Sequence, residues 1–140
     1  MNEGTSARFA ALFDESIADL NLLSEQIIGC AIQVHKTLGP GLLESAYEVC
    51  LAYELRKAGL NVRTQVSLPI TYDGIQLDAK YQLDIVVEDK IILELKSVET
   101  VLPIHEAQLI TYLKLTGKKL GLLINFNVAL LKNGIKRKVN

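Results

Sequence analysis

Two β-branched apolar runs separated by a short polar turn constrain this chain more than any other feature. From Tyr81 to Lys96 the sequence reads Tyr-Gln-Leu-Asp-Ile-Val-Val-Glu-Asp-Lys-Ile-Ile-Leu-Glu-Leu-Lys. Runs of this kind on either side of a polar turn predict a hairpin, with the turn at residues 88–90. A three-residue loop there sets Asp84 directly across from Glu94. Cross-strand partners hold their Cβ atoms roughly 5 Å apart, and residues two apart on one strand share a face. Asp84, Glu94 and Lys96 are therefore expected to converge.

That convergence has chemical content. Two carboxylates so close repel unless a hard divalent cation sits between them. A neighbouring lysine can lower the pKa of an attacking water or offset charge on a transferring phosphate. The spacing points to metal-dependent phosphodiester chemistry. A carboxylate–lysine pair on an exposed sheet face is common and contributes under about 1 kcal/mol. Here, however, the charges interrupt the runs Ile85-Val86-Val87 and Ile91-Ile92-Leu93. Placing charge in a core-like hairpin costs desolvation energy, which calls for a reason.

Asp84, Glu94 and Lys96 match the pattern of the PD-(D/E)XK nucleases, with Leu83 in the proline position. Gly41-Leu-Leu-Glu44-Ser-Ala-Tyr47 resembles the signature of the GxxExxY proteins, a small group assigned to that superfamily. The likeness continues through Asp19-Leu-Asn-Leu-Leu-Ser24, Val34-His35, Leu38-Gly-Pro-Gly41, His105-Glu-Ala-Gln108 and Gly121-Leu-Leu-Ile-Asn125-Phe126. It covers residues 19 to 140. The Gln108-x-x-x-Tyr112 spacing also resembles that of RecB-type nucleases. The resemblance implies a restriction-endonuclease-like fold and a Mg²⁺ site, with Mn²⁺ able to substitute. Asp84, Glu94 and the Leu95 carbonyl would ligate the ion, with Glu44 completing the shell through water. Gln108 would orient Lys96, and Tyr112 would contact substrate.

Length and composition fit one domain: 140 residues, 49% of them hydrophobic, suffice for a packed core. No apolar run approaches the roughly 20 residues of a membrane span, and the N-terminus carries no basic-then-apolar signal peptide. Cys30 and Cys50 lack C-x-x-C spacing and read as reduced core residues of a cytoplasmic protein, so zinc is not expected. Charge is lopsided. No Asp or Glu follows Glu106, whereas Lys114, Lys118, Lys119, Lys132, Lys136, Arg137 and Lys138 do. A basic third beside a carboxylate site suits a phosphate backbone; lysines that blunt edge strands are the competing explanation.

The element order predicted is α-α-β-β-β-α-β-β. Residues 1–16 show no strong periodicity or cap, and residues 1–18 are expected to be a flexible extension preceding a single domain over 19–140. Helices are expected at about Leu20 to Thr37, Leu42 to Lys57 and Ile104 to Thr116, broken by Gly39-Pro40-Gly41, Gly59 and Gly117. Strands are expected near 61–72, 75–87, 90–98, 119–126 and 128–139, the first two joined by an Asp73-Gly74 turn.

Glu44 falls in the first turn of the second helix, where a carboxylate favours the helix dipole or serves as a third acidic group for the cation. His35, Tyr47 and His105 join Tyr112 as candidate substrate contacts. His105, Gln108 and Tyr112 share one helical stripe. His35 also reads as a packed or capping histidine, and the stripe on helix three as a solvated polar face.

The fold expected is α/β, a mixed sheet of about five strands flanked by helices. The function expected is a Mg²⁺-dependent nuclease acting on DNA, with RNA not separated by these residues. A bare core of this size suggests a homodimer or a partner protein supplying target recognition. The alternative is a catalytically silent nucleic-acid-binding or protein-interaction module that keeps the fold.

Overall fold

The computed structural model describes residues 18–78 and 80–140 with their side chains; the extension expected over 1–18 lies, Ala18 apart, outside these. Eleven elements follow in order: α1 (Asn2–Leu38), α2 (Glu44–Lys57), β1 (Val62–Leu68), β2 (Thr71–Tyr72), β3 (Ile75–Gln76), β4 (Tyr81–Val87), β5 (Ile91–Lys96), α3 (Pro103–Thr116), β6 (Leu120–Asn125), a short 3₁₀ turn (Leu131–Gly134) and β7 (Ile135–Val139). Five strands form one sheet in the order β1-β4-β5-β6-β7. All neighbours run antiparallel except β5 and β6, which are parallel and joined through α3. The α/β architecture matches the expected restriction-endonuclease-like arrangement.

Helices cover both sheet faces. On one side Ile27, Ala31, Leu51 and Leu55 of α1 and α2 pack against Ile85, Leu93, Leu95, Leu122 and Ile124. On the other, Leu109, Tyr112 and Leu113 of α3 pack against Val86, Ile92 and Leu123. Strands covered on both faces carry continuous rather than alternating apolar runs. All six residues of β6 are accordingly buried, as are the first five of β5. Each fully buried Leu or Ile contributes about 1.5–3 kcal/mol of transfer free energy.

Three expected strands are markedly shorter than predicted, for identifiable reasons. The first hairpin splits at Pro69, whose missing N–H cannot extend a ladder. The Asp73-Gly74 turn does form, with both residues at positive φ (49° and 79°), but it joins only the small β2–β3 ribbon. The Leu77 N–H donates to Ile70 O at 2.8 Å and closes the ribbon's base. The last strand begins at Ile135 instead of near residue 128, because the 3₁₀ turn at Leu131–Gly134 intervenes. A Cβ on Gly134 would collide with the Asn125 carbonyl. Gly134→Ala is therefore expected to cost about 1–3 kcal/mol through backbone displacement, read as a lowered urea midpoint.

The hairpin of β1 and β4 bends sharply at one level. Register runs unbroken from Val62↔Val87 to Leu68↔Tyr81, except that the step between Gln65 and Asp84 is missing. Gln65 has φ +49°, which is strained for a side-chain-bearing residue within a strand. Below this level Val62, Ile85 and Val87 pack with α1 and α2; above it Val66, Leu68 and Leu83 pack with α3. The outer half of the hairpin thus arches over α3. Among the described residues, no helix is long and apolar enough to cross a membrane.

Candidate active site

The β4–β5 turn has the expected three-residue loop. Glu88 and Asp89 both take positive φ, and the Lys90 N–H donates to Val87 O at 2.9 Å. Register from Val87↔Ile91 to Ile85↔Leu93 brings Asp84 level with Glu94. There the backbone ladder ends and side chains take its place. Asp84 N–H donates to Glu94 Oε1 at 3.3 Å, and Leu95 N–H donates to Asp84 Oδ2 at 2.8 Å. The strands part with both carboxylates turned into the gap. This divergence lies between two interior strands of the sheet.

Glu94 is only 6% exposed. Burial first, and the negative charge of Asp84 second, push its carboxyl up to about 8; the nearby Lys96 charge works against the rise. The bond from Asp84 N–H favours the charged form of Glu94, but burial and the Asp84 charge outweigh it. Lys96 is half-buried at the end of β5. Asp84, Glu94 and Lys96 are thus assembled by one hairpin, as the register predicts.

The flanking elements fix the mouth of this gap. The Asn125 side chain is 3% exposed and clamps the segment leaving β5, donating to Val98 O at 2.9 Å and accepting from Val98 N–H at 3.1 Å. The N-terminus of α2 docks beside it: Ser97 N–H donates to Glu44 Oε1 at 3.3 Å, and Ser97 Oγ donates to Leu42 O. Glu44 is therefore exposed one residue beyond Lys96. Among the described residues, no three His, Cys, Asp or Glu side chains form a metal-ligand group.

Glu48, one turn along α2, was not singled out from sequence. Its side chain accepts a hydrogen bond from Gln65 Nε2, and burial, with a contribution from Asp84, raises its carboxyl pKa. Its i, i+4 relation to Glu44 was the available signal. The strained Gln65 carried none.

Other candidates have structural partners. Tyr47 is fully buried, stacked on Phe126 with ring centroids 4.3 Å apart. Its hydroxyl donates to Gly39 O at 2.6 Å and accepts from Leu42 N–H at 3.1 Å, holding the loop that delivers Glu44. Tyr47→Phe should cost about 1–2 kcal/mol, a melting-temperature loss of roughly 3–8 °C in a thermal scan. His35 is 7% exposed, with Nε2 placed 2.8 Å from Val128 O. His105 Nδ1 accepts from Leu102 N–H at 3.1 Å and caps α3.

Tyr112 and Gln108 stand closer to the carboxylates. Tyr112 is 6% exposed, and burial, then the Glu94 charge, raises its phenol pKa. Gln108 Nε2 donates to Tyr112 Oη at 2.9 Å. The bond it makes is thus to Tyr112; the sequence expectation was Lys96. Several of the late basic residues are also engaged: Lys136 and Lys138 bracket Glu106, and Lys118 joins Asp89.

This layout, two carboxylates in a parted hairpin with a lysine two residues on, agrees with the comparison of family sequences. A family model described as the PD-(D/E)XK nuclease superfamily matches residues 21–138. The chain belongs to that superfamily. No curated protein and no solved structure matches it. The matched span runs from within the described part of α1 into β7, so membership does not rest on the hairpin alone.

Proposed function

We propose that the protein is a Mg²⁺-dependent nuclease that hydrolyses phosphodiester bonds of DNA. The observation that carries this is the Asp84–Glu94 pair, held by backbone N–H groups in the β4–β5 gap with Lys96 beside it. Superfamily membership supports nuclease chemistry.

The residues fit a hard divalent cation. Glu94 is buried against a second carboxylate and its ionised form is disfavoured there, an arrangement that a cation between the two relieves. Asp84, Glu94 and the Leu95 carbonyl would hold the ion, with Glu44 reaching it through water. Bound there, Mg²⁺ or Mn²⁺ supplies Lewis-acid polarisation of the phosphate and a more acidic water. Leu95 N–H fixes Asp84 Oδ2, and Asp84 N–H fixes Glu94 Oε1, so neither carboxylate swings free of the gap. Lys96 places positive charge next to the pair, where it offsets charge developing on the phosphate and helps position the attacking water. Tyr112, steadied by Gln108, closes the α3 side.

Burying the Glu94 carboxyl on β5, among Ile91, Ile92, Leu93 and Leu95, costs stability. A module that only bound nucleic acid would have no use for that cost. The test is direct. End-labelled DNA is incubated with the purified protein in Mg²⁺, Mn²⁺ or EDTA, beside Asp84→Ala. Cleavage is expected only with divalent ions and only by wild type; undiminished cleavage by the variant would overturn the assignment.

A further inference from the structure

A groove of about 470 Å³ lies between α3 and the residues Ile70 and Tyr81 that precede and open β4. Tyr81 at the start of β4 forms one wall, and Ile104 and Leu115 of α3 form the other. Tyr112 lines it too, and so belongs both to the groove and to the closure of the β4–β5 gap. Its apolar walls are open to solvent: Ile104 is 68% exposed, Leu115 47% and Tyr81 41%. Large apolar side chains clustered in one open groove signal a ligand or partner more than isolated ones do.

We propose that this groove receives an unpaired nucleobase of the strand whose phosphate lies at Asp84 and Glu94, which makes single-stranded nucleic acid the preferred substrate. The inference rests on the nuclease reading and specifies its substrate class. Among the described residues no lysine or arginine lines the groove, so it suits the neutral part of a nucleotide and not the phosphate. The exposed Tyr81 ring and the aliphatic Ile104 and Leu115 side chains offer contact area, while the Gln108 amide and the Thr111 hydroxyl offer hydrogen bonds at the rim. A base has this same division, with π-faces and a polar edge, and stacking on aromatic residues tolerates any sequence.

Continuity with the carboxylate pair identifies the occupant. A base stacked here is on the same strand as a phosphate held in the gap, because Tyr112 borders both. Duplex DNA keeps its bases stacked inside and would leave the groove empty.

Binding can be separated from cleavage. In EDTA, fluorescence anisotropy of labelled oligothymidine is compared with an abasic strand of equal length and with a duplex. Wild type is expected to bind the intact strand at least tenfold tighter than either. Ile104→Glu and Tyr81→Ala, both at exposed positions, should each weaken oligothymidine binding about tenfold or more and leave abasic-strand affinity within twofold. Tyr72→Ala, on the exposed β2–β3 ribbon, should change neither. Equal affinity for intact and abasic strands, preference for duplex, or unchanged binding by Ile104→Glu would each overturn the proposal. So would sedimentation showing that Ile104→Glu breaks a dimer while leaving oligonucleotide binding intact, since the groove would then hold a second copy. Failure of cleavage in Mg²⁺ with these binding differences preserved would count against the nuclease reading alone.

Discussion

Without divalent ions, the protein is expected to lose stability steadily as pH rises from about 5 to 8, and Glu94→Gln should abolish most of that loss. The Glu94 carboxyl is raised from 4.5 to about 8 by burial and by Asp84. Between those values the folded state holds a proton that the unfolded chain has released, so stability falls with rising pH and levels off above the folded pKa. At roughly 1.4 kcal/mol per pKa unit the full effect is on the order of 5 kcal/mol. The amide of Gln keeps the shape and cannot ionise. Mg²⁺ favours the ionised pair, and a hundredfold excess over Kd would return about 2.7 kcal/mol at pH 8. Thermal melts in EDTA at pH 5, 6.5 and 8, then in Mg²⁺ and in Na⁺ of equal ionic strength, check both halves. A flat wild-type profile, or equal melts in the two salts, would falsify the account of a strained carboxylate pair.

Much of this site could be read from spacing because a hairpin is local. Once Glu88-Asp89-Lys90 forms a three-residue turn, the count along each strand sets Asp84 opposite Glu94, and no distant contact is needed. The glycine and proline breaks of α2 and α3 are equally local, and both helices fall within two residues of expectation. What could not be read depends on tertiary packing. Nothing in Val62–Leu68 announces that Gln65 bends the strand, since its positive φ is imposed where two packing layers pull the hairpin in different directions. Glu48 likewise gains its place through Gln65. Tyr47 and His35 are candidate substrate contacts on the strength of the resemblance, which says nothing of what their tips bond within the fold. In the fold their tips meet the carbonyls of Gly39 and Val128, groups exposed by loops that only the assembled chain brings near.

Lys96→Ala is expected to lower the rate of DNA cleavage by 10²–10³-fold, while changing the melting temperature by only a few degrees. The rate effect follows from removing a fixed positive charge beside developing negative charge, worth roughly 3–4 kcal/mol in a water-poor site. The small stability effect follows because Lys96 is half-buried and makes no ion pair closer than 4 Å among the described residues, so no partner is stranded. A second consequence separates charge from shape. Lys96 opposes the rise of the Glu94 pKa, so its removal should move the pH at which Glu94 ionises upward and weaken cation affinity at neutral pH. Lys96→Arg retains the charge and should keep the Mg²⁺ response at pH 7, even where its bulkier head misplaces water and slows cleavage. The experiment is a set of single-turnover rates and Mg²⁺ titrations for wild type, Lys96→Ala and Lys96→Arg between pH 6 and 9. If Lys96→Ala keeps the wild-type rate and Mg²⁺ midpoint across that range, the lysine is a solvated surface charge, and the chemistry assigned to the β4–β5 gap loses its cationic member.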